Sequence, residues 1–301
     1  MAIKKALRKL GTEQANLATT GLDTRTTREI AEIINAEDAR VAPAVARALP
    51  EIARAIDAIS QALSSGGRLI YVGAGTSGRI AALDAAECPP TFNTDPEMVQ
   101  FVMSGGEKAL AHAAEASEDW PALGRRDMAK RKPGQRDVVV GVSASGRTPY
   151  TVAALRYARS QGATTVAVTN NRGSWLERVA DIAIVVDLGP EVVAGSTRMK
   201  AGTAQKLILN MLSTGAMARL GYVYGNLMVN VHVKNEKLWE RGVTILQEAA
   251  GIQRAAADRA LKAAGRSVPV AMVMLQAGVS KAEARRRLKA ARGNVRRAIA
   301  G

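Results

Sequence analysis

Five short apolar runs constrain this chain more than any other feature: residues 69–72, 98–103, 138–142, 164–169 and 182–186. Apart from Gln100 and the threonines of 164–169, each is hydrophobic without a strict alternation, as expected for strands covered on both faces, which is the environment of a parallel sheet. Most close on Gly or Ser clusters, and helical stretches lie between them, at about 107–119 and 149–161, for example. Strand and helix in regular alternation predict an α/β fold with a five-stranded parallel, doubly wound sheet flanked by helices. In such a sheet a ligand binds beyond the carboxyl ends of the strands.

Helical segments precede and follow the sheet. Val41, Val45, Leu49, Ile52, Ile56, Ile59 and Leu63 recur at helical spacing, with Pro50 predicting two helices or a kink near Leu49. After a polar loop at 191–200, an apolar helix runs through Leu207, Ile208, Met211 and Leu212, and from about residue 234 the chain reads as helical throughout. Residues 268–300 predict three short helices broken at Gly278 and Gly293. The organisation expected is an N-terminal helical arm (1–58), a sheet domain (59–222) and a C-terminal helical region ending in a small bundle (223–301).

Composition excludes several classes. No apolar run approaches the roughly 18 residues of a membrane span. The basic N-terminus lacks the apolar core of a secretory signal, and the single cysteine, Cys88, excludes an internal disulfide framework. A cytoplasmic protein is the expectation. Net charge is +15, but much of the excess lies in 281–297 and only 3% of residues are aromatic, which argues against a nucleic-acid partner that stacks bases.

Two loops carry the chemistry. Gly73-Ala-Gly-Thr-Ser-Gly78 and Ser143-Ala-Ser-Gly-Arg-Thr148 each follow a strand and open a helix. Both place small residues and hydroxyls where backbone N–H groups are unpaired, an arrangement suited to phosphate oxygens. The first loop lacks the Gly-Lys-Ser/Thr ending of a P-loop, and no acidic residue closes the second strand as a dinucleotide site requires. A phosphorylated small molecule is the ligand class that the pair predicts. Glu191 and Ser196, in the loop after the fifth strand, are candidate sugar contacts.

The two loops together resemble those of sugar isomerase (SIS) domains. Gly73-Ala-Gly-Thr-Ser-Gly-Arg79, Leu83-Asp-Ala-Ala-Glu-Cys-Pro-Pro90, Ala144-Ser-Gly-Arg-Thr-Pro149 and Gly195-Ser-Thr-Arg-Met-Lys-Ala-Gly-Thr-Ala-Gln-Lys206 more narrowly resemble the N-acetylmuramic acid 6-phosphate etherase family. The likeness runs from about Leu17 to the C-terminus. The glucokinase regulatory protein, which binds sugar phosphates as a regulator, is a more distant relative. The resemblance implies an SIS-type sheet, a homodimer and a lyase that removes D-lactate from C3 of a sugar phosphate with no metal or organic cofactor. It places the phosphate on Ser143, Ser145 and Thr148, and the sugar beside Thr76 and Ser77. It puts Glu87 at the position of the acid and Glu118 at that of the base; two carboxylates in different environments can divide those roles.

Read without the resemblance, these carboxylates are less sharply marked. Glu87 is unusual at a helix end expected to stop at Pro89-Pro90, where a basic residue is commoner. Glu118 cannot be told from Glu107, Glu115 or Asp119. Cys88 has no histidine near it in sequence, and His112 and His232 lack metal-ligand spacing. Arg79, Arg147, Arg198 and Lys200 could each pair with phosphate or carboxylate, or form structural ion pairs. An aldose–ketose isomerase and a non-enzymatic sugar-phosphate sensor are the alternatives on the same fold.

Overall fold

All five apolar runs form strands in the computed structural model, which describes residues 10–112, 115–231, 233 and 235–301. They are β1 (Leu69–Gly73), β2 (Val99–Met103), β3 (Val138–Val142), β4 (Thr164–Thr169) and β5 (Ile182–Val185). They make one parallel sheet in the order β2-β1-β3-β4-β5. The expected doubly wound architecture is therefore present, with its reversal of strand order at β1 and β3. Gly73 pairs with Val142, so the loops after these two strands leave the sheet at the same level.

Alternate residues of each strand feed opposite faces. Ile70, Val72, Val102, Val139 and Ala167 pack on one side with Met128 of α5 (Pro121–Lys130), Tyr150 and Leu155 of α6 (Pro149–Ser160) and Leu176 of α7 (Trp175–Val179). Tyr71 points the other way, and its hydroxyl donates to Asp84 of α4 (Gly75–Phe92) at 2.7 Å. Asp84 also accepts from Asn210 at 2.7 Å and Ser213 at 3.1 Å, both on α8 (Lys200–Leu220). Burial pushes the Asp84 carboxyl above its ordinary pKa, against the pull of these three donors.

Before the sheet come α1 (Thr27–Asp38), α2 (Val41–Ala46) and α3 (Leu49–Ser64). Pro50 lies in the first turn of α3, where its missing N–H costs nothing, so it starts a helix instead of kinking one. Residues 10–24, in three short 3₁₀ turns, reach the loops after β4 and β5. Asn171 donates to Thr12, Thr19 donates to the Val192 carbonyl at 2.8 Å, and the Gly195 N–H donates to the Thr12 carbonyl. Asn16 bonds Glu37 of α1, and Glu37 is ion-paired with the buried Lys200 at the start of α8.

Two expectations are corrected. The helix after β1 does not stop at Pro89-Pro90 but runs through both to Phe92. A proline's fixed φ is itself helical; what is lost is two N–H donors, and the helix ends two residues later, with Asn93 at φ 52°. The stretch 107–119 is not an α-helix; its described residues form 3₁₀ turns at Glu107–Leu110 and Glu115–Ser117. A hydrogen bond of 2.8 Å from Ser104 to Ser117 folds this segment back on the end of β2. The helix α5 was not anticipated from the sequence.

The chain divides into two units, residues 1–85 with 97–213, and residues 86–96 with 214–301. The second has its own core. It contains α9 (Glu236–Ala250), α10 (Arg254–Ala263), α11 (Val268–Ala277), α12 (Lys281–Ala290) and α13 (Val295–Ala300). Val229, Val243, Leu246, Leu261, Val268, Met272 and Val295 are buried together in it. The breaks between its last three helices fall at Gly278 and Gly293, both at positive φ, as the sequence predicts. Among the described residues no helix is long and apolar enough to cross a membrane.

The Glu37–Lys200 pair yields a stability prediction. Burial raises the Glu37 carboxyl, but hydrogen bonds from Lys200 and Arg40 outweigh it and hold the pKa below its ordinary value of 4.5. The pair's contribution is thus complete above that value and is lost as pH falls through the lowered one. Lys200→Met removes the buried partner and leaves Glu37 with the exposed Arg40 and with Asn16, and is expected to cost about 1–3 kcal/mol in urea unfolding at pH 7. Adding Glu37→Leu should recover much of that loss.

Candidate functional site

The site is built from the loops at the carboxyl ends of β1 and β3. The turn after β1 bends at Gly75, whose φ is +52°, and α4 begins there. Thr76, half-buried, and Ser77, buried, occupy the first turn of this helix, where N–H groups have no intrahelical partner. Gly202 of α8 faces the Thr76 methyl, so α8 backs the same turn.

The loop after β3 is more completely organised. The Ser143 hydroxyl lies 2.9 Å from that of Thr148 and 3.4 Å from that of Ser145, and it accepts the Gly146 N–H at 3.1 Å. The Arg147 N–H donates to the Ser145 oxygen at 3.2 Å. Three hydroxyls thus converge at the start of α6, whose partial positive end favours an anion. The loop is held from outside as well: Asn170 and Asn171 donate to the Ala144 carbonyl, and the Leu176 N–H donates to that of Gly146. Gly146 is obligatory, because a side chain there would meet Ser174 and Thr169 at about 2.4–2.5 Å with φ at +63°.

Glu118 joins the two loops. Its carbonyl accepts the N–H of Tyr150 in the first turn of α6 at 3.0 Å. Its Oε1 lies 3.1 Å from where a Cβ on Gly75 would stand, so the carboxylate rests on the start of α4. The neighbouring Ser117–Ser104 bond fixes the segment from the other side. Of the acidic residues that sequence alone left open and whose side chains are described, Glu118 is the one whose carboxylate is placed against the β1 turn.

Other candidates fall elsewhere. Glu87 is exposed on α4, in the second unit of the chain. Glu191 is buried, and its oxygens accept the N–H groups of Lys200 and Ala201 at 2.9 and 3.0 Å. It caps α8 and fixes the loop, which changes the expectation of a carboxylate offered to a sugar. Ser196, in that same loop, is half-buried. Cys88 is buried, His112 is exposed, and His232 lies outside the described residues. Among the described residues no group of His, Cys, Asp or Glu is placed to hold a metal ion. The Asp84 network and the Ser104–Ser117 clasp escaped sequence reasoning; the only sign of the latter was Ser104-Gly-Gly106 closing β2.

Known proteins share the fold that carries these loops. The glucokinase regulatory protein N-terminal SIS domain family matches residues 51–159, and the SIS domain family matches residues 126–215. The chain is 50% identical over 294 residues to an N-acetylmuramic acid 6-phosphate etherase of Klebsiella aerogenes, covering 98% of each chain. It is 52% identical over 288 residues to one of Edwardsiella ictaluri, covering 96% of each. A phosphoheptose isomerase of Neisseria gonorrhoeae shares the fold, with a TM-score of 0.51 at 18% identity over 64% of this chain and 100% of that one.

The hydroxyl cluster is testable directly. Ser143→Ala removes the oxygen that touches Ser145, Thr148 and the Gly146 N–H. Affinity for a hexosamine 6-phosphate, measured by calorimetry, should fall about tenfold or more. The unliganded melting temperature should move by only a few degrees, about as far as one modest hydrogen bond dictates.

Proposed function

The chain belongs to the N-acetylmuramic acid 6-phosphate etherase family, and from that premise we propose that it cleaves the D-lactyl ether of N-acetylmuramic acid 6-phosphate, leaving N-acetylglucosamine 6-phosphate and D-lactate. It is a carbon–oxygen lyase of amino-sugar metabolism. The observation that carries the assignment is identity of about half the residues along nearly the whole length of such relatives.

The chemistry follows from the substrate. Opening the sugar ring makes the C2 proton acidic, since it then lies next to an aldehyde. A base removes it, the C2–C3 double bond forms, and the C3–O bond to lactate breaks. An acid supplies the proton that the departing lactate oxygen takes up. The same group, now a base, activates water for addition at C3, and a proton returns to C2. The sum is ether plus water giving sugar phosphate plus lactate.

Glu118 is the base in this reading, supported by its placement on the start of α4 and by the family position. Glu87 is the acid, by family position. Ser143, Ser145 and Thr148 hold the phosphate, and Thr76, Ser77 and Ser196 contact the sugar. Glu191 serves through the loop it fixes. Position, differing environment and proton transfer supply the catalysis, and general acid–base groups of this kind each contribute about 100- to 10,000-fold. The family resemblance also supports a cytoplasmic homodimer.

Incubation with N-acetylmuramic acid 6-phosphate in heavy-oxygen water should release D-lactate and place the label at C3. Absence of lactate at micromolar enzyme would sink the assignment. Glu118→Gln should abolish exchange of the C2 hydrogen with solvent and cut lactate release by about 100- to 10,000-fold. Glu87→Gln should depress lactate release while keeping part of that exchange. Exchange surviving in Glu118→Gln would move the base to another residue.

A further inference from the structure

We propose that Arg147 is the counter-cation of the bound phosphate ester and so sets the preference for a phosphorylated sugar. This rests on the reading that the loop between β3 and α6 holds the phosphate. A phosphate monoester carries about −1.5 to −2 charges near neutral pH, yet the side chains assigned to it there, Ser143, Ser145 and Thr148, are all neutral. The start of α6 supplies only a partial positive charge, so a full cation beside it would complete the balance, and the structure discriminates among those that the sequence left equivalent.

Arg79 is committed to backbone: its Nε donates to the Leu110 carbonyl at 3.1 Å and its Nη2 to that of His112 at 3.2 Å. Lys200 is buried and committed to Glu37 and the Leu188 carbonyl. Arg172 and Arg198 are exposed. Arg147 differs from all of these. It lies within the hydroxyl loop, with its own N–H fastened to Ser145. Its side chain is half-buried, and its guanidinium stands over the Trp175 ring, 5.8 Å from the centroid. Its Nε is buried with no hydrogen-bond partner among the described residues.

A buried donor on a charged group is costly to leave unmet. Stacking on an aromatic face orients the planar guanidinium without consuming its N–H groups. Arg147 is thus a cation carried by the hydroxyl loop itself, oriented by Trp175 and with donors in reserve, and arginine's forked geometry is the one that grips phosphate oxygens.

The test compares ligands with one and two anionic groups. N-acetylglucosamine 6-phosphate carries phosphate only; the lactyl substrate adds a carboxylate. Arg147→Gln is expected to weaken binding of N-acetylglucosamine 6-phosphate, measured by calorimetry, about 10- to 100-fold. KM for N-acetylmuramic acid 6-phosphate should rise by the same factor with kcat unchanged. Arg147→Lys, which keeps the charge without the fork, should lose less and guards against a folding defect in the glutamine variant. Unchanged affinity for N-acetylglucosamine 6-phosphate overturns the proposal; a rise in KM alone would assign Arg147 to the carboxylate instead. Wild-type protein that binds this sugar phosphate but releases no lactate refutes the proposed activity and leaves the Arg147 comparison readable. Wild-type protein that binds no sugar phosphate refutes both.

Discussion

The pairing of β1 with β3 is the constraint on which the rest of the site depends. In the strand order β2-β1-β3-β4-β5 the chain leaves β1 toward one edge of the sheet and leaves β3 toward the other. Their connections part, and a crevice opens at their carboxyl ends. Register makes this useful: with Gly73 opposite Val142, the two hydroxyl-bearing loops emerge level with each other. Glu118 then spans them, with its backbone on the start of α6 and its carboxylate on the start of α4. Topology, not a linear motif, thus brings Glu118 against the starts of both helices.

Holding these loops requires polar groups in the interior. Asp84 ties β1, α4 and α8 through three donors, and Glu191 caps α8 from within. The Glu37–Lys200 pair joins α1 to the start of α8. Buried ions are costly when alone and roughly neutral when fully paired, so their benefit is less in net stability than in defining one arrangement. Here that arrangement fixes the walls of the crevice. The loop carrying Ser196 is held at Glu191, at Lys200 and, through the N-terminal arm, at Val192 and Gly195.

The sheet was legible because each strand is apolar on both faces, a pattern that neither an amphipathic helix nor a half-exposed strand produces. The breaks at Gly278 and Gly293 were legible because Gly278 caps α11 and Gly293 lies in the turn after α12, both at positive φ. What escaped was decided by contacts distant in sequence. A double proline reads as a stop, but Pro89 and Pro90 lie in the last turns of an eighteen-residue helix. Residues 107–119 have helical composition, yet the Ser104–Ser117 bond holds them in short turns. Glu191 looked like a polar loop residue available to a sugar, and only the fold shows the two N–H groups that it satisfies. Glu118 could not be separated from its acidic neighbours by local pattern, because what marks it is the glycine 43 positions earlier in the chain against which it rests.

In the proposed function the two loops divide the ligand between them, with phosphate on the second and sugar on the first. A crystal structure with N-acetylglucosamine 6-phosphate bound tests it most directly. Phosphate oxygens are expected within about 3 Å of the hydroxyls of Ser143, Ser145 and Thr148, with C2 of the sugar facing the Glu118 carboxylate. A phosphate seated instead on the turn from Gly73 to Ser77, with C2 remote from Glu118, would contradict it.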